Sequence, residues 1–375
     1  MSIFTSRPVL RWAVPAAAAV AVIGAGVTAR TLAVAAEPNL PPRTAAQLLV
    51  DLQTARLDGL SGTVVERADL GLDVLSLAGQ QSSELASLVS GKHTLRVWYS
   101  GPDKARVSLL GAQGQSDVIN NGSDVWLWNS KTNTAQHYTK GSGATADKTP
   151  DKGPGDLASS LPKTPQEAAD LALKAIDSTT IVSTGNAARI AGRDAYELIL
   201  GPRDTDSLVS QVRLAIDAKE KLPLRVQILA KGQAKPAFEV GFTQVSFNRP
   251  DDAQFAFNPP AGAKVEEKSG QPSAEHKAGP AEPADRPKTA VVGTGWTSVL
   301  VVRMPQGEPA ADPSADQARE KANSILDSLP RQGGARVISG TLFSAMITDD
   351  GRILVGAVSP ERLASVAADP AAALR

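Results

Sequence analysis

Two trains of short, alternating stretches constrain this chain more than any other feature. In the first train, residues 93–100 (HTLRVWYS) meet a Gly-Pro-Asp-Lys turn and then residues 105–110 (ARVSLL). Residues 116–119 lead through Asn-Asn-Gly into 124–129 (DVWLWN), and 134–139 (TAQHYT) closes the set. The second train runs 180–183, 188–190, 195–200, 211–217, 224–230 and 237–247. Short apolar/polar alternation between Gly, Asn and Asp turns predicts antiparallel meanders. Leu95, Val97 and Tyr99 fall on one side of their strand; Thr94, Arg96 and Trp98 fall on the other. Val212, Leu214 and Ile216 share a face, as do Leu224, Val226 and Ile228. Such alternation predicts one covered face and one wetter face.

Helical signals are fewer. Thr44 reads as an N-cap ahead of Leu48, Leu49, Leu52 and Leu57, which predicts a helix over 44–57 that Gly59 and Gly62 end. Residues 61–68 read as a strand, and 80–90 as a short helix or a loop. After a Gly/Pro/Ser/Asp loop at 140–165, Thr164 and Pro165 open a second helix over 164–176. A single sheet of this size must curl, and two helices can cover its apolar face. The expected class is α+β: a curved antiparallel half-barrel sheet of about ten strands lidded by helices, plus a small C-terminal α+β unit. That unit reads as a strand at 297–304, a helix at 314–329, strands at 335–338, 341–348 and 352–359, and a helix at 360–367. It either folds alone or docks on the sheet.

The N-terminus carries an address. Arg7 and Arg11 precede an uncharged stretch, 12–29 (WAVPAAAAVAVIGAGVTA), which Arg30 and Ala33-Val34-Ala35-Ala36 follow. A positive start, an apolar run and an A-x-A site describe an export signal. The run is also just long enough for a membrane span. Cleavage near Ala35 or Ala36 and a retained single-span anchor both remain open. Either way, the rest of the chain is expected outside the cytoplasm, secreted or anchored by 12–29 on the outer face of the membrane. The expected segments are 1–36 signal or anchor, 37–43 proline-rich spacer, 44–265 main body, 266–288 disordered linker and 289–375 C-terminal unit. The linker is read from its four prolines and dense charge, without a large apolar residue.

Composition narrows the chemistry. Lys+Arg and Asp+Glu balance at 39 each, so nothing electrostatic favours nucleic acid. Without cysteine there are no disulfides, thiolate metal sites or lipidated cysteine. Only His93, His137 and His276 are available for acid–base or metal work. His93 and His137 read as solvated or hydrogen-bonded, and Glu66, Asp69 and Asp73 as solvated. Gly293-Thr-Gly295 precedes a strand instead of opening a helix after one, so it is not a phosphate cradle. No metal or cofactor is expected, and the chain does not read as an enzyme.

The hairpin VRLAIDAKEKLPLRVQIL resembles the x-V-x-I-D-x-x-x-x-x-P-x-R hairpin of the LolA/LolB/RseB lipoprotein-localisation superfamily. The preceding GRDAYELILGP is similar to that superfamily's G-x-x-x-Y-x-L-x-L-x-P strand, and Phe255–Gly262 to its F-x-F-x-P-P-x-G ending. The resemblance covers about 44–265, in a form nearest to Gram-positive envelope members. It departs in the possible anchor, the 140–165 loop and the segment after 289. It implies a half-open barrel whose apolar cavity holds a lipid or a lipoprotein's acyl chains. The alternative it implies is an RseB-like stress sensor that binds an anti-sigma or other membrane protein, and such members also carry a second C-terminal domain.

The residues expected to line such a cavity are Val97, Tyr99, Val107, Trp126, Trp128, Leu214, Ile216, Leu224, Val226, Phe238 and Val240. Trp126 and Trp128 lie two apart in one strand and share a face, which suits either an aromatic wall or ordinary packing.

Overall fold

The computed structural model describes residues 38–71, 90–111, 114–139, 178–269, 288–303, 329–369 and 372. The chain enters the body through helix α1 (Ala45–Thr54). Thr44 closes a capping box: its hydroxyl accepts from the Gln47 N–H at 3.3 Å, while its own N–H donates to Gln47 Oε1 at 2.9 Å. Leu48 is the residue the helix buries. Beyond it, Gly59 passes so close to Arg249 that a Cβ would lie 2.4 Å from the Arg249 Cα, so only glycine allows the entry into β1.

Thirteen strands then build one sheet: β1 (Leu60–Asp69), β2 (Ser90–Tyr99), β3 (Lys104–Gly111), β4 (Gly114–Asn121), β5 (Asp124–Asn129), β6 (Thr134–Thr139), β7 (Thr180–Thr184), β8 (Ala188–Ile190), β9 (Arg193–Pro202), β10 (Val209–Asp217), β11 (Pro223–Ala230), β12 (Pro236–Ser246) and β13 (Lys264–Ser269). The order is β13-β6-β5-β4-β3-β2-β1-β12-β11-β10-β9-β7, with β8 beside β9. The two meanders read from the sequence are therefore joined through β1, which pairs with both β2 and β12. The sheet is mostly antiparallel and open, ending at β13 and β7.

Two expectations change. The sheet has thirteen strands where about ten were expected. The linker cannot begin at 266, because Lys264–Ser269 pairs in parallel with Thr134–Thr139 and extends the body to Ser269. Its run of charges hid a strand that needs only an edge to add to. The readings at 80–90, 164–176 and 314–329 lie, but for residues 90 and 329, outside the described residues, as do the 12–29 stretch and 270–287. No helix of the described residues is long and apolar enough to cross a membrane.

The core gathers on one face. Leu60, Val64, Val97, Leu198, Leu214, Ile216, Val226, Val240 and Phe242 pack there with Leu48 of α1. The C-terminal unit is a second, six-stranded sheet: β14 (Lys288–Val292), β15 (Val299–Arg303), β16 (Arg331–Gln332), β17 (Ala335–Ser339), β18 (Ser344–Ile347) and β19 (Arg352–Gly356), in the order β14-β15-β19-β18-β17-β16. Helix α2 (Pro360–Ala367), capped by Ser359, buries Leu363 and Val366 against it.

This unit docks on the body. Trp296 and Leu342 belong to the same buried cluster as Leu48. The Trp296 indole N–H donates to Thr180 Oγ1 at 2.8 Å. Leu208 N–H donates to Ala357 O, and Thr341 N–H to Leu70 O, both at 2.8 Å. Gly295 adopts φ +61° where a Cβ would fall 1.9 Å from Thr179 Oγ1, so the close seat requires a residue without a side chain.

Candidate functional site

Strand register decides which predicted residues come together. Val97 faces Val107, Val107 faces Val118, and Val118 faces Leu127, giving one apolar row across β2, β3, β4 and β5. Val97 also opposes Gly62 beside Val64, so the row starts in the core. Burial is least at Val118: Val97 is 4% exposed, Val107 and Leu127 are half-buried, and Val118 is 39% exposed. At strand spacing the row spans about 14 Å. Tyr99 and Phe238 are partly buried against the same core, while Leu214, Ile216, Leu224, Val226 and Val240 are packed inside it.

Trp126 and Trp128 do not join them. In β5 they alternate with Leu127, which holds the core face, so both indoles lie on the opposite, outer face. The segment after β12 crosses that face as a 3-10 turn (Asp252–Phe255) against β3 and β4. Phe257 then reaches both tryptophans, with ring centroids 5.3 and 5.9 Å away. The F-x-F ending thus covers the outer face over both indoles.

Three polar pairs escaped sequence reasoning because their partners are remote. Glu66, expected to be solvated, is 4% exposed on the core face of β1, and its Oε2 meets His93 Nδ1 at 2.9 Å. Burial pushes its carboxyl up, and the His93 contact only partly offsets that. Asp217, which closes the I-D motif, is 1% exposed; it is paired with Arg193 and accepts the N–H groups of Lys219 and Glu220 at 2.9 and 2.7 Å. Burial alone would raise its pKa, but Arg193 and the two backbone donors hold it below the usual value.

His137 is the third. Its Nε2 lies 2.8 Å from Asp124 Oδ1, its Nδ1 lies 2.8 Å from Glu267 Oε2 of β13, and its ring stacks on Trp126 at 4.1 Å. Desolvation pulls the imidazole down, but the two carboxylates outweigh it and hold its pKa above the usual 6.5. A raised histidine pKa gives stability that is complete below the unfolded value and is lost as pH rises through the folded one. Amide exchange of β13 is therefore expected to speed up as pH rises above the ordinary histidine value of 6.5, beyond the intrinsic pH effect seen in unstructured peptides. His137→Gln should remove that excess. An unchanged excess in the variant would show that β13 is held by other means.

Among the described residues, no group of three or more His, Asp or Glu side chains is arranged to hold a metal ion. A family model described as "Predicted periplasmic protein (DUF2092)" matches residues 75–266, just over half of the chain. The chain belongs to DUF2092. The matched span covers β2 to the start of β13, so it holds the apolar row, the tryptophans and the Asp217 hairpin, and leaves out α1, β1 and the C-terminal unit. Among curated proteins, none is significantly similar to this DUF2092 chain.

Solved structures offer likenesses. A chain of the Pseudomonas aeruginosa MucA/MucB complex is 18% identical, covering 86% of this chain and 96% of that one, with a TM-score of 0.42. An uncharacterised conserved protein from Thermus thermophilus is 13% identical, covering 60% and 99%, with a TM-score of 0.33. A LolA superfamily protein from Nitrosomonas europaea is 12% identical, covering 58% and 99%, with a TM-score of 0.21.

Proposed function

We propose that this protein is a non-enzymatic, extracytoplasmic binder of apolar chains, such as those of a lipid or a lipoprotein. The observation that carries the reading is the Val97–Val107–Val118–Leu127 row, which leaves the core and exposes Val118 on the same face. An acyl chain laid along the row extends the hydrophobic core outward. Each buried CH₂ contributes roughly 0.8 kcal/mol, so about ten give about 8 kcal/mol before the cost of ordering the chain. Tyr99 lies two residues from Val97 on β2; Leu214, Ile216, Leu224, Val226 and Val240 belong to the core in which the row starts, and Phe238 packs against that core.

Val118→Asp tests the proposal. The site is exposed, so the melting transition should move little, by about 0.5 kcal/mol or less. Affinity for a fluorescent long-chain fatty acid should fall at least roughly tenfold, the loss expected when a charge enters an apolar contact. Parent protein that fails to bind the probe, or a variant that binds it equally well, would defeat the reading.

A second reading is the docking of an extracytoplasmic segment of a membrane protein. It is favoured by Ile181 and Val291, which are 47% and 41% exposed on β7 and β14, each a terminal strand of its sheet. Unpaired edges with apolar side chains accept an added strand. Replacing both residues by lysine should abolish recovery of one specific partner from membranes while leaving fatty-acid binding intact. Loss of neither, or of both, counts against it.

A further inference from the structure

The face opposite the core carries a cleft of about 370 Å³ that the apolar reading does not use. Two cross-strand rows line it, from β12, β1 and β2. Ser246, Ser61 and Trp98 form one; Gln244, Thr63 and Arg96 form the other. The register of β1 against β12 shifts between Thr63 and Val64, at the cleft. A bulge of this kind bends a strand and re-aims its side chains.

The charges are arranged unevenly. Among the described residues, no ion pair engages Arg96, and no hydrogen bond engages its guanidinium or the Trp98 indole N–H. The acids around them are already committed. Glu239 accepts from Arg67 at 2.8 Å and from Gln227 at 2.6 Å. Asp117 accepts from Arg106 at 2.5 Å and from Gln115 at 2.7 Å. Arg106 in turn lies 5.6 Å from the Trp98 ring, and Arg249 donates to Ser100 Oγ at 2.7 Å. The cleft therefore offers one uncommitted cation, one indole, three hydroxyls and one amide, with neutralised carboxylates around it.

We propose that this cleft binds a saccharide bearing an anionic group. A guanidinium matches a carboxylate or a phosphate with two parallel N–H donors. Hydroxyls and an amide in register along a sheet match the vicinal hydroxyls of a sugar ring, and an indole presents an apolar surface with a polar handle. An acyl chain has no use for this set, so the cleft is a second site, separated from the apolar row by the thickness of the sheet.

The test is calorimetry of the whole exported chain at low salt with four ligands: trigalacturonate, glucose 6-phosphate, maltotriose and inorganic phosphate. Trigalacturonate or glucose 6-phosphate should bind with a Kd of about 1 mM or tighter, and maltotriose at least about tenfold more weakly. Whichever of the two anionic sugars binds tells whether the anion is carboxylate or phosphate. Arg96→Gln, at an exposed position, should keep its melting temperature and weaken the anionic sugar at least about tenfold. Trp98→Phe should weaken it less, and Val118→Asp on the other face not at all. Absence of binding by either anionic sugar at about 10 mM overturns the proposal, as does undiminished binding in Arg96→Gln. Maltotriose binding as tightly as the anionic sugars would remove the anion from it, and inorganic phosphate binding as tightly as glucose 6-phosphate would remove the sugar.

Discussion

Asp217→Ala is expected to lower the stability of the body by about 3–5 kcal/mol, the usual loss when one partner of a buried ion pair is removed. The carboxylate does two jobs at once. It pairs with Arg193, whose Nη2 donates at 3.0 Å and whose guanidinium also lies 4.7 Å from the Phe247 ring. It also takes the N–H groups of Lys219 and Glu220, which tie down the β10–β11 turn, where Lys221 sits at φ +63°. Alanine leaves a partly buried guanidinium with only the more distant Glu220, at 3.8 Å, and two donors without an acceptor. Calorimetry should show a melting temperature lower by roughly 10 °C, given about 2–4 °C per kcal/mol in a body of this size. Asp217→Asn keeps acceptors for the turn and should fall between parent and alanine. A lowered carboxyl pKa means that the stabilisation is complete above the ordinary value of 3.8 and is lost as pH falls through the folded one. Parent and Asp217→Asn should therefore converge in strong acid. A parallel offset at every pH would show that the charge is not what matters.

Phe255→Ala is expected to cost about 3–5 kcal/mol, as large aromatic-to-alanine changes in cores do. The ring is 1% exposed although it sits on a short turn outside the strands. The turn is held by Asp251, which accepts the Ala253 N–H at 2.8 Å, and by Arg106, which donates to Gln254 O at 3.2 Å. Downstream, Asn133 Nδ2 donates to Gly262 O at 2.8 Å, and the chain becomes β13. Removing the ring should therefore do more than leave a cavity. Exchange protection of β13 should drop more than that of β10 and β11, which lie across β1 and β12 from the lesion. Uniform loss over all strands would mean that the crossing segment is only filler.

The strands of both meanders were legible because alternation is a local property, written into each short stretch of the chain. The contacts between them were not. Val118 reads as one more apolar residue until register shows that it extends the row from Val97. Trp126 and Trp128 were correctly joined to one face, but which face depends on Leu127 opposing Val118. Their cover comes from Phe257, far along the chain. Glu66 lies beside glycine-rich sequence, which suggests solvent, yet His93 of the neighbouring strand and the packing of β12 bury it. β13 gave no strand signal because its residues are mostly Lys and Glu around a single Val; its pairing is supplied by the free edge of β6. Thr44 and Ser359, by contrast, cap their helices through contacts within a few residues of sequence, and the Thr44 cap was read on that local signal alone.

The shared core of the two units sets a timetable for the chain. Leu48, near the start of the body, packs in one cluster with Trp296 and Leu342, whose codons come roughly 250 to 300 positions later. Until those residues arrive, the seat against Thr180 and Leu70 stands open and the cluster is incomplete. Contacts of such long sequence separation form late, because closing a long loop precedes any reward. The C-terminal unit is thus expected to close the shared cluster last, by seating Trp296 and Leu342 against residues that have already paired.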